Sequence, residues 1–157
     1  MKILSGEVII RKANLGDLPV LLQFEQMIIE TERPIDKTLK PGEIHYYDLA
    51  ALSQSPESTV LVAEFESQIV ATGYAKIKYS ENYYQHERYA YLGFICVHPE
   101  FRGQGLNKLI IEHLIKWSHS LDIFEIRLEV YDQNVNAIKA YEKSGFKKNM
   151  VEMRLDI

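Results

Sequence analysis

The sequence predicts one mixed α/β domain, and three observations carry that expectation. A chain of 157 residues fits a single hydrophobic core. Apolar β-rich runs sit between stretches whose apolar residues recur at helical spacing. No repeat, low-complexity tract or linker divides the chain. A hydrophobic fraction of 46% and a charged fraction of 25% suit a soluble globular protein.

Glu7 to Ala13, with Val8-Ile9-Ile10, reads as a first strand. Asn14 offers an N-cap with Asp17 in the acidic first turn, and Leu18, Leu21, Leu22, Phe24, Ile28 and Ile29 predict a helix to about Thr31. Glu32 to Gly42, with two prolines, is a loop, and a second helix is expected over Glu43 to Gln54. Val60–Phe65 and Ile69–Ile77 flank the polar turn Glu66-Ser67-Gln68, a hairpin pattern. Ser80 to His86 is a polar, aromatic loop. Tyr89 to Val97 is almost wholly apolar and reads as a central strand buried on both faces. Leu106, Leu109, Ile110, Leu114 and Trp117 define one face of a helix ending near Leu121. A strand over Ile126–Tyr131, a helix over Asn134–Ser144 closed by Gly145, and a last strand over Val151–Leu155 complete the order.

Charge and motif content exclude several classes. A net charge of −4 without a long Lys/Arg run gives no nucleic-acid footprint, and leaves room for a cationic substrate. One cysteine, Cys96, permits no internal disulfide. No apolar stretch has transmembrane length, and Met1 to Glu7 meets charge too early for a signal peptide, so the expected location is cytoplasmic with no membrane partner. Five scattered histidines show no metal-ligand spacing, so no metal is expected.

The segment Ile95-Cys96-Val97-His98-Pro99-Glu100-Phe101-Arg102-Gly103-Gln104-Gly105-Leu106-Asn107-Lys108 carries the chemistry. Pro99 ends a buried strand, two glycines follow, and a helix begins at once. Glycines permit positive φ and close ligand approach, and the N–H groups of a helix start converge on an anion. Arg102 and Lys108 add positive charge at the rim. The plain reading is a strand–helix connection; the coincidence of arginine, glycines and helix start favours an anion site. The third glycine of a dinucleotide fingerprint and the Gly-Lys-Ser/Thr of a P-loop are both missing.

This segment resembles the acyl-coenzyme A signature of the Gcn5-related N-acetyltransferase (GNAT) family, Arg/Gln-x-x-Gly-x-Gly/Ala. Arg102, Gly105 and Asn107 fall on its defined positions, Asn107 departing from the small residue expected. The stretch from Leu128 to Phe146 resembles the family's second landmark: a strand ending near an Asn, a short helix with a Tyr, and a closing Gly-Phe. The resemblance implies a mixed, mostly antiparallel sheet, splayed at its central strands and flanked by helices, in one domain over residues 1–157. It implies acetyl-coenzyme A as co-substrate. The backbone of Gly103, Gln104, Gly105, Leu106, Asn107 and Lys108 would cradle the pyrophosphate, and Ile95, Cys96 and Val97 would pair with the pantetheine arm. It further implies that Asn134 touches that arm and that Tyr141 protonates the leaving thiolate.

Residue chemistry is compatible with these roles. Asn134 and Tyr141 share a helix face. A phenol is a suitable donor to a thiolate whose parent pKa is about 8.5. The sequence leaves the general base open; Glu129 is a candidate, since it resembles the Glu five residues before the Asn in ribosomal-protein alanine acetyltransferases, and it also reads as a surface partner of Arg127. Glu87 and Tyr91 are lesser candidates. Cys96 reads as a packed thiol rather than a nucleophile. The acceptor is a primary amine of a small molecule or peptide, met by Glu32–Gly42, by Tyr46 and Tyr47, and by Ser80–Arg88. Tyr83 and Tyr84 read either as acceptor contacts or as a homodimer surface. A non-catalytic acyl-coenzyme A sensor and O-acetylation remain alternatives.

Overall fold

The computed structural model describes residues 1–2 and 4–157; Ile3, inside the amino-terminal run, lies outside the described residues. Five strands, β1 (Ile9–Lys12), β2 (Ser58–Phe65), β3 (Gln68–Tyr79), β4 (Arg88–Val97) and β5 (Ile126–Leu128), lie in the order β1-β2-β3-β4-β5. The first three pairings are antiparallel and β4–β5 is parallel. Parallel pairing needs a crossover, which α3 (Leu106–Ser120) supplies. Glu66 and Ser67 both take positive φ, 49° and 62°, the backbone of a two-residue turn whose twist matches its strands.

Helices cover both faces. On one side α1 (Leu18–Glu32) packs Leu21 and Phe24, and the short α2 (Leu49–Gln54) packs Leu49, against Val60, Val62, Tyr74 and Phe94. On the other, Ile110, Ile111 and Leu114 of α3 pack on Val70, Ala75 and Leu92. Tyr141 of α4 (Val135–Lys143) and Phe146 join that second core. Asn14 caps the 3-10 turn that leads into α1: its side chain accepts from Gly16 N–H, and Asp17 accepts from Asn14 N–H, each at 2.8 Å.

Four sequence expectations change. The second helix begins at Leu49, not Glu43, because Asp48 caps it by accepting from Ala51 N–H at 3.0 Å. The preceding chain is held extended by buried Glu25, which accepts from the N–H of Tyr46 (2.9 Å) and of Tyr47 (3.0 Å). The strand expected over Ile126–Tyr131 ends at Leu128, and Glu129 and Val130 peel away exposed. Val151–Leu155 forms no strand: Val151, Met153 and Leu155 stay exposed, since alternation without a paired edge buries nothing. β4 is fully buried on one face at a time and not on both: Tyr89 and Tyr91 are half-buried in its first half, and Ile95 and Val97, on the α3 side, are half-buried in its second.

Candidate active site

The site begins with a fault in the sheet. β4 and β5 pair only from Ala90–Ile126 to Leu92–Leu128, whereas β4 continues to Val97. Beyond Leu92 the two strands part and leave one edge of β4 open. A bulge lies at the parting, where the β3–β4 register slips between Thr72 and Tyr74 and Phe94 adopts φ 56°. That left-handed phenylalanine is costly by roughly 1–2 kcal/mol and persists because its surroundings fix it. Thr72 Oγ1 donates to Phe94 O at 2.9 Å, and the Tyr47 ring packs with its centroid 5.4 Å from that of Phe94. Gly93 beside it has no alternative residue, since a Cβ there would lie 2.6 Å from the Tyr74 hydroxyl.

Past the bulge the phase of the strand is reset: Tyr91 and Cys96 both pack on the α1 side, Leu92 and Ile95 on the α3 side. His98 N–H donates to Val70 O at 2.8 Å, so strand alternation turns the N–H groups of Val97 and Ile95 to the open edge. The expected pantetheine contacts therefore stand on unpaired backbone, with the Cys96 side chain packed away from it. Cys96 is buried, and burial pushes its thiol up to about 11. His98 is occupied: its ring lies 6.3 Å from Phe24 and 5.8 Å from Phe101, and its Nδ1 accepts from Glu100 N–H. That pairing excludes an activated Cys96 nucleophile.

The turn after β4 ends in a helix start with vacant donors. Gly103 and Gly105 take φ 76° and 83°, and Gly105 is the N-cap of α3 with no side-chain cap bond. The first intrahelical bond at this end is Leu109 N–H to Gly105 O, which leaves the N–H groups of Leu106, Asn107 and Lys108 facing outward. Nothing lies within 4 Å of a Cβ built on either glycine, so both positions border open space. Arg102 Nε donates to Val97 O at 3.3 Å, and Lys108 lies 3.8 Å from Glu112. Gln104 contributes backbone only; its side chain accepts from Leu4 N–H and donates to Lys2 O. Leu106 is core, again leaving only its backbone. The Oδ1 of Asn107 is buried beside this cradle with no hydrogen-bond partner. A polyanionic group fits this arrangement on the strength of the vacant amides alone.

Tyr141, on the helix that follows β5, packs against the α3-side core beside the slot where the two strands part. The Gly145 turn (φ 96°) brings Phe146 N–H to Tyr141 O at 3.1 Å and sets the two rings 6.2 Å apart, edge to face. Burial, then the nearby Glu32 and Cys96, raise its phenol to about 12, so it keeps its proton at neutral pH. It packs in the α3-side core yet feels Glu32 and Cys96 on the α1 side, because the slot joins the two faces. The Asn134 side chain accepts from Ala137 N–H at 3.3 Å as an N-cap. Glu129 lies near the Tyr91 phenol, which burial and then the Glu129 charge push up; Arg127 pairs with Glu125 at 3.4 Å instead. Glu87 is exposed and lies beyond the far end of β4, away from the slot.

Sequence reasoning missed three carboxylates. Glu32, the last residue of α1, accepts from the Tyr46 hydroxyl at 2.8 Å, and burial lifts its carboxyl above the usual range. Buried Asp36 accepts from Thr38, from the Tyr131 hydroxyl (2.9 Å) and from Arg154 (2.6 Å), which draws it strongly down. Glu25 adds His45 Nδ1 at 2.6 Å to its two backbone donors. A signal for two of them existed: Glu25 and Glu32 sit seven residues apart on the apolar stripe of Leu21, Ile28 and Ile29, where acids are out of place without partners.

Comparison with known proteins bears on this geometry. The family model described as Acetyltransferase (GNAT) family matches residues 24–146. The chain is 29% identical over 143 residues to the thialysine N-epsilon-acetyltransferase of Bos taurus, covering 88% of this chain and 83% of that protein. It is 35% identical over 102 residues to the cysteine-rich protein 2-binding protein of Mus musculus, covering 64% of this chain but spanning only 11% of that protein's length. Among solved structures it is similar to a predicted acetyltransferase with acetyl-CoA from Clostridium acetobutylicum, at a TM-score of 0.69 and 20% identity, covering 96% of each chain. The fold is thus one shared with solved acetyltransferase structures, and the chain belongs to the acetyltransferase (GNAT) family.

Proposed function

We propose that the protein is an N-acetyltransferase that moves the acetyl group of acetyl-coenzyme A to a primary amine by direct attack. The observation that carries this reading is the parting of β4 and β5 past Leu92, next to the uncapped start of α3; a slot there would run from the vacant amides to the Tyr141 phenol. Gly103 to Lys108 would hold the pyrophosphate, with Arg102 at its edge, and the open backbone of Ile95 to Val97 would pair with the pantetheine arm. Asn134, beyond its capping bond, borders the same arm. Similarity to a thialysine N-epsilon-acetyltransferase and to an acetyltransferase with acetyl-CoA agrees with an amine acceptor and that donor.

The acceptor would enter from the α1 face, between Tyr46, Tyr47 and Tyr91. A neutral amine attacks the thioester carbonyl, whose developing oxyanion meets a backbone N–H of Ile95 or Val97. The C–S bond breaks as the C–N bond is completed, and Tyr141 hydrogen-bonds the departing sulfur. A phenol at about 12 is a weaker acid than a thiol at about 8.5, so Tyr141 stabilises the thiolate chiefly as a donor. The amine's surplus proton leaves through a carboxylate. Glu129, expected from the sequence, stands at the mouth of the slot; Glu32 stands beside Tyr141, and its raised carboxyl is the better matched to a proton acceptor.

Tyr141→Phe, assayed by thiol release across an amine panel, tests the reading. The expected loss in kcat is on the order of a hundredfold with acetyl-coenzyme A affinity retained. Tight acetyl-coenzyme A binding without turnover of any amine by the wild-type protein would instead make the chain an acyl-coenzyme A sensor.

A further inference from the structure

The open half of the α1 face carries two cations with no ionic partner. Lys76 and Lys78 stand two apart on β3, so both project on the side of Tyr74. Across the sheet they face Tyr91 and Tyr89. Lys78 Nζ lies 3.7 Å from the centroid of the Tyr91 ring, and Lys76 Nζ lies 5.9 Å from the rings of both Tyr91 and Tyr74. Both are half-buried. Among the described residues neither ammonium has a carboxylate within ion-pair distance. Burial and the charge of Lys76 hold the Lys78 ammonium below its usual range.

A lysine stem laid on an aromatic ring is ordinary surface packing, and a single one would carry no argument. Here two like charges converge on one ring in a protein whose net charge is −4. Glu129 is the anion that acts on Lys78, and its charge also acts on the Tyr91 phenol. Arg127, over the Tyr89 ring at 4.0 Å, is balanced by Glu125. The patch keeps one positive charge in excess: three cations against Glu125 and Glu129. It borders the acceptor side of the slot, since Tyr91 precedes the bulge residue Phe94 by three strand positions, about 10 Å.

We infer that Lys76 and Lys78 form an anion subsite of the acceptor cleft, so that the acceptor is a primary amine bearing a carboxylate or phosphate about 10 Å from its nitrogen. The inference rests on the acetyl-transfer reading above for the amine end only. The aromatic row Tyr47, Tyr74, Tyr91, with neighbouring centroids 5.4 and 6.5 Å apart, would floor the intervening chain. The two ammonium groups supply point-charge donors that suit either anion.

The test compares acceptors of equal length, about 10 Å from amine to second group: 8-aminooctanoate, an aminoalkyl phosphate, the neutral 8-aminooctanamide, and a diamine. The expected kcat/KM is at least about tenfold higher for the anionic acceptors than for the amide, mostly through KM. In Lys76→Gln/Lys78→Gln that ratio should fall to about one, and Lys78→Glu should shift preference to the diamine. The carboxylate and phosphate arms then say which anion the subsite takes. Acetyl-coenzyme A affinity reports the folded donor site in each variant. Equal kcat/KM for anionic and neutral acceptors, or a preference that survives the double substitution, overturns the subsite. Should no amine turn over at all, calorimetry of 8-aminooctanoate against 8-aminooctanamide on the coenzyme A-loaded protein reads the same preference without chemistry. A preference lost in the double variant then upholds the subsite although the transfer reading has failed; equal affinities overturn it.

Discussion

Tyr141 shows how one side chain's surroundings set its use. Buried on the α3 side and facing Glu32 and Cys96 across the slot, its phenol at about 12 remains protonated through neutral pH and beyond. Activity should therefore show no alkaline limb from this group below about pH 10. The same burial acts on Cys96, raised to about 11. Alkylation by iodoacetamide at pH 8 should run on the order of a hundredfold slower than for a free thiol, because so little thiolate is present. A rate close to that of free cysteine would mean that the second half of β4 opens in solution. Both residues were legible as types in the sequence, from the Asn134–Tyr141 spacing and from Cys96 lying in an apolar run. Their coupling was not, because Cys96 and Tyr141 meet only through the parting of β4 and β5.

Among the elements, the α3 start was the most legible, since Pro99, the two glycines and the amphipathic stripe each restrict the backbone locally. Its chemistry can be tested by contrast. Gly105→Ala keeps the cradle empty and costs roughly 1 kcal/mol for a side chain at φ 83°. Gly105→Glu places a carboxylate against the vacant amides and should abolish coenzyme A binding, measured by calorimetry, while the circular dichroism spectrum is kept. The extended segment before α2 was illegible, because its conformation is set by Glu25 from another helix. Glu25→Ala strands the N–H groups of Tyr46 and Tyr47 and should cost about 3 kcal/mol in denaturant unfolding. Glu25 also holds His45 protonated above its usual range. A raised folded pKa gives stability that is complete below the unfolded value, about 6.5, and is lost as pH rises through the folded one. Tm should fall over that rise, and His45→Gln should flatten the profile.

For the whole molecule, the sheet would divide donor from acceptor in the proposed reaction. Coenzyme A chemistry would belong to the α3 end and its vacant amides, acceptor chemistry to the α1 face, with the parting of β4 and β5 between them. The layered α/β class and the order of elements followed from hydrophobic period alone. The carboxyl-terminal strand did not follow, because Val151 to Leu155 alternates without an edge to pair with; that segment is tied down through Arg154 to Asp36. Exposed Glu129 and half-buried Glu32 could be weighed only once the fold placed one at the mouth of the slot and the other beside the phenol. The most direct measurement is mass spectrometry of a mixed pool of amines and peptides incubated with acetyl-coenzyme A and the protein. An acetylated primary amine should appear together with an equal amount of free thiol, and both should fall about a hundredfold with Tyr141→Phe. Acetyl-coenzyme A bound to the protein while no amine in the pool gains an acetyl group would contradict it.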